Sequence, residues 1–192
     1  MTKEQLLLEI AKNVTKVKAI ALAQRVLTTD GFMADLLSLC YYSQKTIAFR
    51  AAWILEFAEG KSPERFAPLL VGFIEQLPQQ HHTGCQRIFT KILMDYTHKR
   101  AKIVREEAFN ELTIGHKERL VELIFEWLIK PETPVAVRVN CIDILYNLIP
   151  LFSWIREELI AQINFYLKDG SAAMQSRGKR LLAKLQRAPG KA

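Results

Sequence analysis

Four arginines each sit about one turn into an apolar helical segment: QKTIAFRAAWIL around Arg50, HTGCQRIFTKIL around Arg87, PVAVRVNCIDIL around Arg138 and SAAMQSRGKRLL around Arg177. Each segment follows another helical stretch with an apolar stripe on one side. A single such pair leaves that stripe in water, whereas a stack of pairs buries it in one continuous core, so the pattern predicts a repeat protein. The spacing is 37 residues from Arg50 to Arg87, 51 from Arg87 to Arg138 and 39 from Arg138 to Arg177. The long middle interval predicts a helical insertion near 97–116, THKRAKIVREEAFNELTIGH, between two regular halves.

The punctuation between the segments is that of helices joined by short turns. Thr2 and Gln5 have capping-box spacing and open a helix with Leu6, Leu7 and Ile10 on one side. Its partner is expected from about Thr15 to Leu27. Asp30-Gly31 breaks the pattern, FMADLLSLCYY supplies the next outer helix, and Ser43 starts the helix around Arg50. Ser62-Pro63-Glu64 combines an N-cap, a proline at the first helical position and an acid at the positive helix end. Pro68 is placed to bend that helix and Pro78 to close it. In HKERLVELIFEWLIK, Leu120, Leu123, Ile124, Trp127 and Leu128 form a wide apolar face, and Pro131 ends it. Thr133-Pro134 repeats the cap-and-proline device before a helix that Pro150 terminates. A last pair is expected at roughly 152–168 and 171–187, giving one domain over 1–187 and a flexible tail at 188–192.

With 49% apolar residues, the chain of 192 can bury a full core. No stretch alternates apolar and polar residues for long enough to argue for a sheet. The start, MTKEQLLLEIAKN, lacks the form of a secretion signal, and runs such as FAPLLVGFI fall short of the ~20 residues of a membrane span, so no membrane association and a cytoplasmic location are expected. Cys40, Cys85 and Cys141 are far apart within apolar patterns, as small core residues in a reducing compartment are. The formal charge of +7 is unevenly placed. Residues 1–169 hold 21 Lys or Arg against 20 Asp or Glu, while residues 170–192 hold six basic residues and no acid. The surplus belongs to the last helix and tail, where Lys179, Arg180, Lys184 and Arg187 are candidate anion contacts.

Phe66-Ala67-Pro68-Leu69-Leu70 resembles the kinked first helix of a HEAT repeat, and Thr133-Pro134-Val135-Ala136-Val137-Arg138 resembles the turn and Val-Arg opening of its second helix. The resemblance, to HEAT-like repeats of the armadillo type, spans most of the chain. It implies an all-α, right-handed solenoid of about five antiparallel helix pairs, acting as a protein-interaction scaffold without catalysis or cofactor. In the family an acid in the preceding turn pairs with the arginine to form a ladder between repeats. Asp169 and Glu132 are placed to serve Arg177 and Arg138, whereas no acid closely precedes Arg50 or Arg87. The expected partner is another protein. The alternative is nucleic acid, which some HEAT-like alkylpurine DNA glycosylases cradle, held by a basic inner surface or by the basic last helix; the near-neutral body weighs against it.

Other chemistry in the chain is sparse. GSAAMQSRGKR at 170–180 faintly resembles the signature loop of the fumarase and adenylosuccinate lyase superfamily. Ala172, Gln175 and Arg177 stand where that loop has serine, proline and lysine, so the match is a decoy and Ser171 reads as an N-cap. His82 and Cys85 have half of a zinc-ligand spacing without a second pair, and no metal is expected. His81 and His82 read as caps of the following helix. Glu106, Glu107 and Glu111 read as a solvated face paired with Lys102 and Arg105. Trp53, Trp127 and Trp154 are expected in the core.

Overall fold

The computed structural model describes residues 2–187, so the expected flexible tail at 188–192 lies outside the described residues. The first pair is α1 (Lys3–Ala11) and α2 (Lys16–Leu27), and the second is α3 (Phe32–Leu39) and α4 (Lys45–Lys61). The third opens with a broken helix, α5 (Pro63–Phe66) and α6 (Leu70–Gln76), and continues with α7 (Thr83–Thr97). A short α8 (Ile103–Asn110) precedes the fourth pair, α9 (Ile114–Ile129) and α10 (Val135–Leu148), and the fifth is α11 (Ile155–Asp169) and α12 (Ala172–Arg187). Among the described residues there is no strand. The second helices α2, α4, α7, α10 and α12 each pack on the next, with the first helices layered against them, so the fold is an all-α solenoid of helix pairs.

Local chemistry accounts for most boundaries. Thr2 and Gln5 close a complete capping box, and Thr15 and Thr113 each accept a backbone N–H at a helix start. Gly31 turns the chain between α2 and α3 at φ 79°, a conformation that costs a side chain-bearing residue free energy. Pro68 lies in a 3₁₀ turn, Ala67–Leu69, that separates α5 from α6, since its ring displaces the regular helical bond. Gly170 is needed between α11 and α12 because a Cβ there would collide with the Tyr166 carbonyl oxygen.

Three starts differ from the expected ones. α4 begins at Lys45 with Gln44 as its N-cap, later than Ser43 and without a capping side chain. The Ser62 hydroxyl bonds the Glu64 carboxylate rather than a helix N–H. At α10 Pro134 is itself the N-cap, and Thr133 is buried behind it.

The buried faces of α4, α7, α10 and α12 share one register. Ile47, Cys85, Val137 and Met174 open it, Ala51, Phe89, Cys141 and Gly178 follow one turn on, and Ile54, Ile92, Ile144 and Leu181 come next, all buried. Against Ala51, Phe89, Cys141 and Gly178, the four arginines fall one, two, three and one residues earlier. Each residue turns a helix by about 100°, so Arg87 and Arg138 leave the axis in directions different from Arg50 and Arg177. The apparent repeat of arginine in the sequence is therefore not one repeated structural position.

Candidate functional site

The four arginines have four different environments. Arg50 reaches back to the end of α1, where Nη1 donates to the carbonyl oxygens of Ile10 at 3.1 Å, Ala11 at 3.0 Å and Lys12 at 2.8 Å. It satisfies carbonyls that a helix C-terminus leaves without intrahelical partners. Arg138 does the same for α9: Nη2 donates to Lys130 at 2.9 Å and Pro131 at 2.8 Å, while the guanidinium lies 5.2 Å from the centre of the Tyr166 ring. The carbonyls, not the carboxylate of Glu132, hold it. Arg87 is exposed, and among the described residues its side chain has no hydrogen bond or ion pair. Arg177 pairs with Asp143 of α10 at 3.1 Å rather than with Asp169. A uniform arginine-acid ladder is thus absent from these four positions.

Arg177 opens onto a cleft of about 750 Å³ between the end of α7, α10, the turn at Pro150 and α12. Its apolar lining consists of Met94, Tyr146, Ile149, Pro150, Leu181 and Leu185. Its charged lining consists of Lys99, Arg156, Arg177, Arg180, Lys184 and Arg187, with two aspartates, Asp95 and Asp143, among them. On α12 the basic residues recur at intervals of three, four and three, which aligns Arg177, Arg180, Lys184 and Arg187 on one face. Lys184 Nζ lies 5.7 Å from the centre of the Tyr146 ring, and Arg156 donates to the Leu185 carbonyl. Of the four candidate anion contacts, Arg180, Lys184 and Arg187 line the cleft, while Lys179 is exposed and outside its lining. Arg50, Arg87 and Arg138 do not line it either.

Asp143 is the cleft's buried carboxylate. Its Oδ1 accepts from Arg177 Nη1 at 3.3 Å, and its buried Oδ2 lies 3.1 Å from the same nitrogen in an ion pair. Burial holds this carboxyl above the ordinary aspartate range, while the charges of Arg177, Arg180, Lys184 and His98 pull it down. Among the described residues the cleft lining contains no serine, threonine or cysteine; it combines apolar side chains with cationic ones.

Several interactions between distant segments were invisible in the sequence reading. Arg105 is buried and does not pair with the exposed Glu106, Glu107 and Glu111; it bonds Glu59 of α4 in a two-pronged bridge at 2.7 and 2.8 Å. That bridge ties α8 to α4, and burial raises the Glu59 carboxyl above its ordinary range although Arg105 pulls it down. Between α7 and α10, Asn140 donates to Thr90 at 2.9 Å and Asn147 to Thr97 at 3.3 Å, a pair of contacts one heptad apart at the same separation of 50 residues. Matching N-x6-N and T-x6-T spacings are the one signal in the sequence that could have found them. Gln80, buried, donates to the Cys40 carbonyl at 3.0 Å, and Gln86 donates to Gln80 at 2.8 Å, linking the second and third pairs.

The remaining candidates are placed as follows. His82 caps α7, its Nδ1 accepting from the Cys85 N–H at 3.2 Å. All three cysteines are buried, and burial pushes the Cys85 thiol up to about 12. The Ser171 hydroxyl accepts from the Met174 N–H at 3.4 Å at the start of α12. Trp127 is buried and Trp53 half-buried, but Trp154 is 53% exposed and stacks on Phe125 at 5.7 Å, so it is not a core residue.

The stacked pairs, the kink at Pro68 and the arginines at helix ends meet one more observation: the family model of the HEAT repeat domain matches residues 3–185. The chain belongs to the HEAT repeat family. HEAT repeats usually mediate protein interactions and are generally non-catalytic. No curated protein and no solved structure matches this HEAT repeat chain. Among its described residues, no helix is long and apolar enough to cross a membrane.

Proposed function

We propose that this HEAT repeat protein is a non-catalytic scaffold that presents the surface of its second helices to another protein. The cleft between α7, α10 and α12 carries the reading, since a lining of apolar and charged side chains together has the make-up of a protein-binding patch. The nearly balanced charge of residues 1–169 favours a protein over nucleic acid, because phosphate neutralisation needs a basic track along the whole contact. The three buried free thiols favour action in the reducing cytoplasm. The solenoid as one unit over 1–187 would supply a rigid platform with its terminal helices as caps.

The test is lysine cross-linking of the tagged full chain in native lysate after nuclease treatment. The expected result is a nuclease-resistant protein complex with cross-links from Lys99 and Lys184 to the partner. A complex that dissolves on nuclease treatment would refute the scaffold reading in favour of nucleic acid.

A further inference from the structure

The scaffold reading leaves the partner's chemistry open, and the cleft narrows it. Its volume of about 750 Å³ suits a few side chains rather than a duplex. The basic stripe from Arg177 to Arg187 spans about 15 Å of helix, too short for a phosphate track of useful length. Asp95 and Asp143 interrupt the cationic lining with negative charge, which opposes a continuous polyanion but leaves room for separate carboxylates. The cleft already contains one such group: the Asp143 carboxylate lies beside Arg177. Next to the basic stripe, Tyr146, Ile149 and Met94 are half-buried, so an apolar side chain can gain contact there while neighbouring acids meet Arg180, Lys184 and Arg187.

Resting on the scaffold reading, we propose that the cleft between α7, α10 and α12 receives an acidic peptide segment of a partner protein, with one apolar side chain anchored against Tyr146 and Ile149. The charged side chains select the segment and set its register, and the apolar ones supply affinity.

The experiment is fluorescence anisotropy on the full chain at physiological salt with three labelled probes: a glutamate-rich peptide with one central leucine, the same peptide with glutamine for every glutamate, and a short DNA duplex. The glutamate peptide is expected to bind about tenfold or more tightly than either of the others, a difference of about 1.4 kcal/mol. Arg180→Gln combined with Lys184→Gln should weaken it by about tenfold, and Lys179→Gln, on the same helix but outside the cleft, by less than about twofold. Circular dichroism checks folding of each variant. Independently of any variant, the methyl signals of Leu181 and Leu185 in the native chain should shift on addition of the glutamate peptide.

Equal binding of the two peptides, tighter binding of the duplex, an equal loss in Lys179→Gln, or unmoved leucine methyls would each overturn the proposal. A nuclease-resistant partner retained equally by the native chain and the Arg180→Gln, Lys184→Gln variant would overturn it while the scaffold reading stands. Loss of that partner to nuclease would instead remove both.

Discussion

Two arginine-carboxylate pairs in this protein have opposite surroundings. Arg105 and Glu59, joining α8 to α4, are shut away from solvent and matched by two parallel bonds. Arg177 and Asp143, joining α12 to α10, meet at the edge of a cleft, with Arg180 and Lys184 close by and the Arg177 side chain 32% exposed. The first pair is joined by two parallel bonds, with Asp95 at 3.6 Å beyond it, and tethers the extra helix to the stack. The second lies among further cations, so an incoming carboxylate finds donors in Arg180 and Lys184. A sealed pair stabilises one arrangement, and an open one offers contacts to a partner.

The largest effect should come from breaking the sealed pair. Arg105→Ala leaves a buried carboxylate without its partner and should cost about 3–5 kcal/mol in urea denaturation. Glu59→Leu combined with Arg105→Met should recover most of that loss, because two apolar side chains need no desolvated charges. A cost for Arg105→Ala below about 1 kcal/mol, the range of exposed pairs, would erase the contrast between the two sites.

Arg50 tests a third arrangement, a guanidinium held by carbonyls alone. Arg50→Ala should cost about 1.5–3 kcal/mol, and amide exchange should quicken in α1, whose end it secures. Unchanged exchange in α1 would show that these bonds are incidental.

The open pair should reveal itself in pH dependence with a smaller effect. The folded Asp143 carboxyl lies above its ordinary value of 3.8, so just above that pH the native state holds more proton than the unfolded chain. Stability from this group is therefore present below 3.8 and lost as pH rises through the folded value. Asp143→Asn, which keeps the neutral form throughout, should gain on the native sequence from about pH 4 towards neutrality. A constant difference across that range would show that burial does not hold the Asp143 carboxyl above its ordinary value. Arg87 supplies the lower end of the scale: with no partner for its side chain among the described residues, Arg87→Gln should change stability by less than about 0.5 kcal/mol.

Much of the fold was legible because helix boundaries are written locally. The Thr2-Gln5 capping box, the bend at Pro68 and the cap at Ser171 each depend on a few adjacent residues. The basic face of α12 was legible too, since spacing along a helix sets direction. Its counterpart was not: Met94, Tyr146 and Ile149 come from other helices, and only their packing turns a charged stripe into a cleft. The arginine repeat misled for a related reason. Helical periodicity tolerates shifts of one or two residues by eye, whereas the shared core register separates Arg50, Arg87 and Arg138 by a residue each.

Arg105 and Trp154 show the same limit from two sides. Arg105 was expected on a solvated face but is buried, because α8 docks against a carboxylate 46 residues earlier. Trp154 was expected in the core but lies exposed just before α11, stacked on Phe125.

By itself the sequence determined that the chain is helical, that its helices come in stacked pairs, and that its positive charge gathers at the end. These follow from caps, prolines, apolar periodicity and composition, all of which act over one or two helical turns. Only the tertiary structure decided which arginines meet carbonyls, which meet carboxylates, and which cations share a cleft with Tyr146. Those outcomes depend on how helices far apart in the chain are rotated against one another, and that rotation is set by the jointly packed core, not by any one segment.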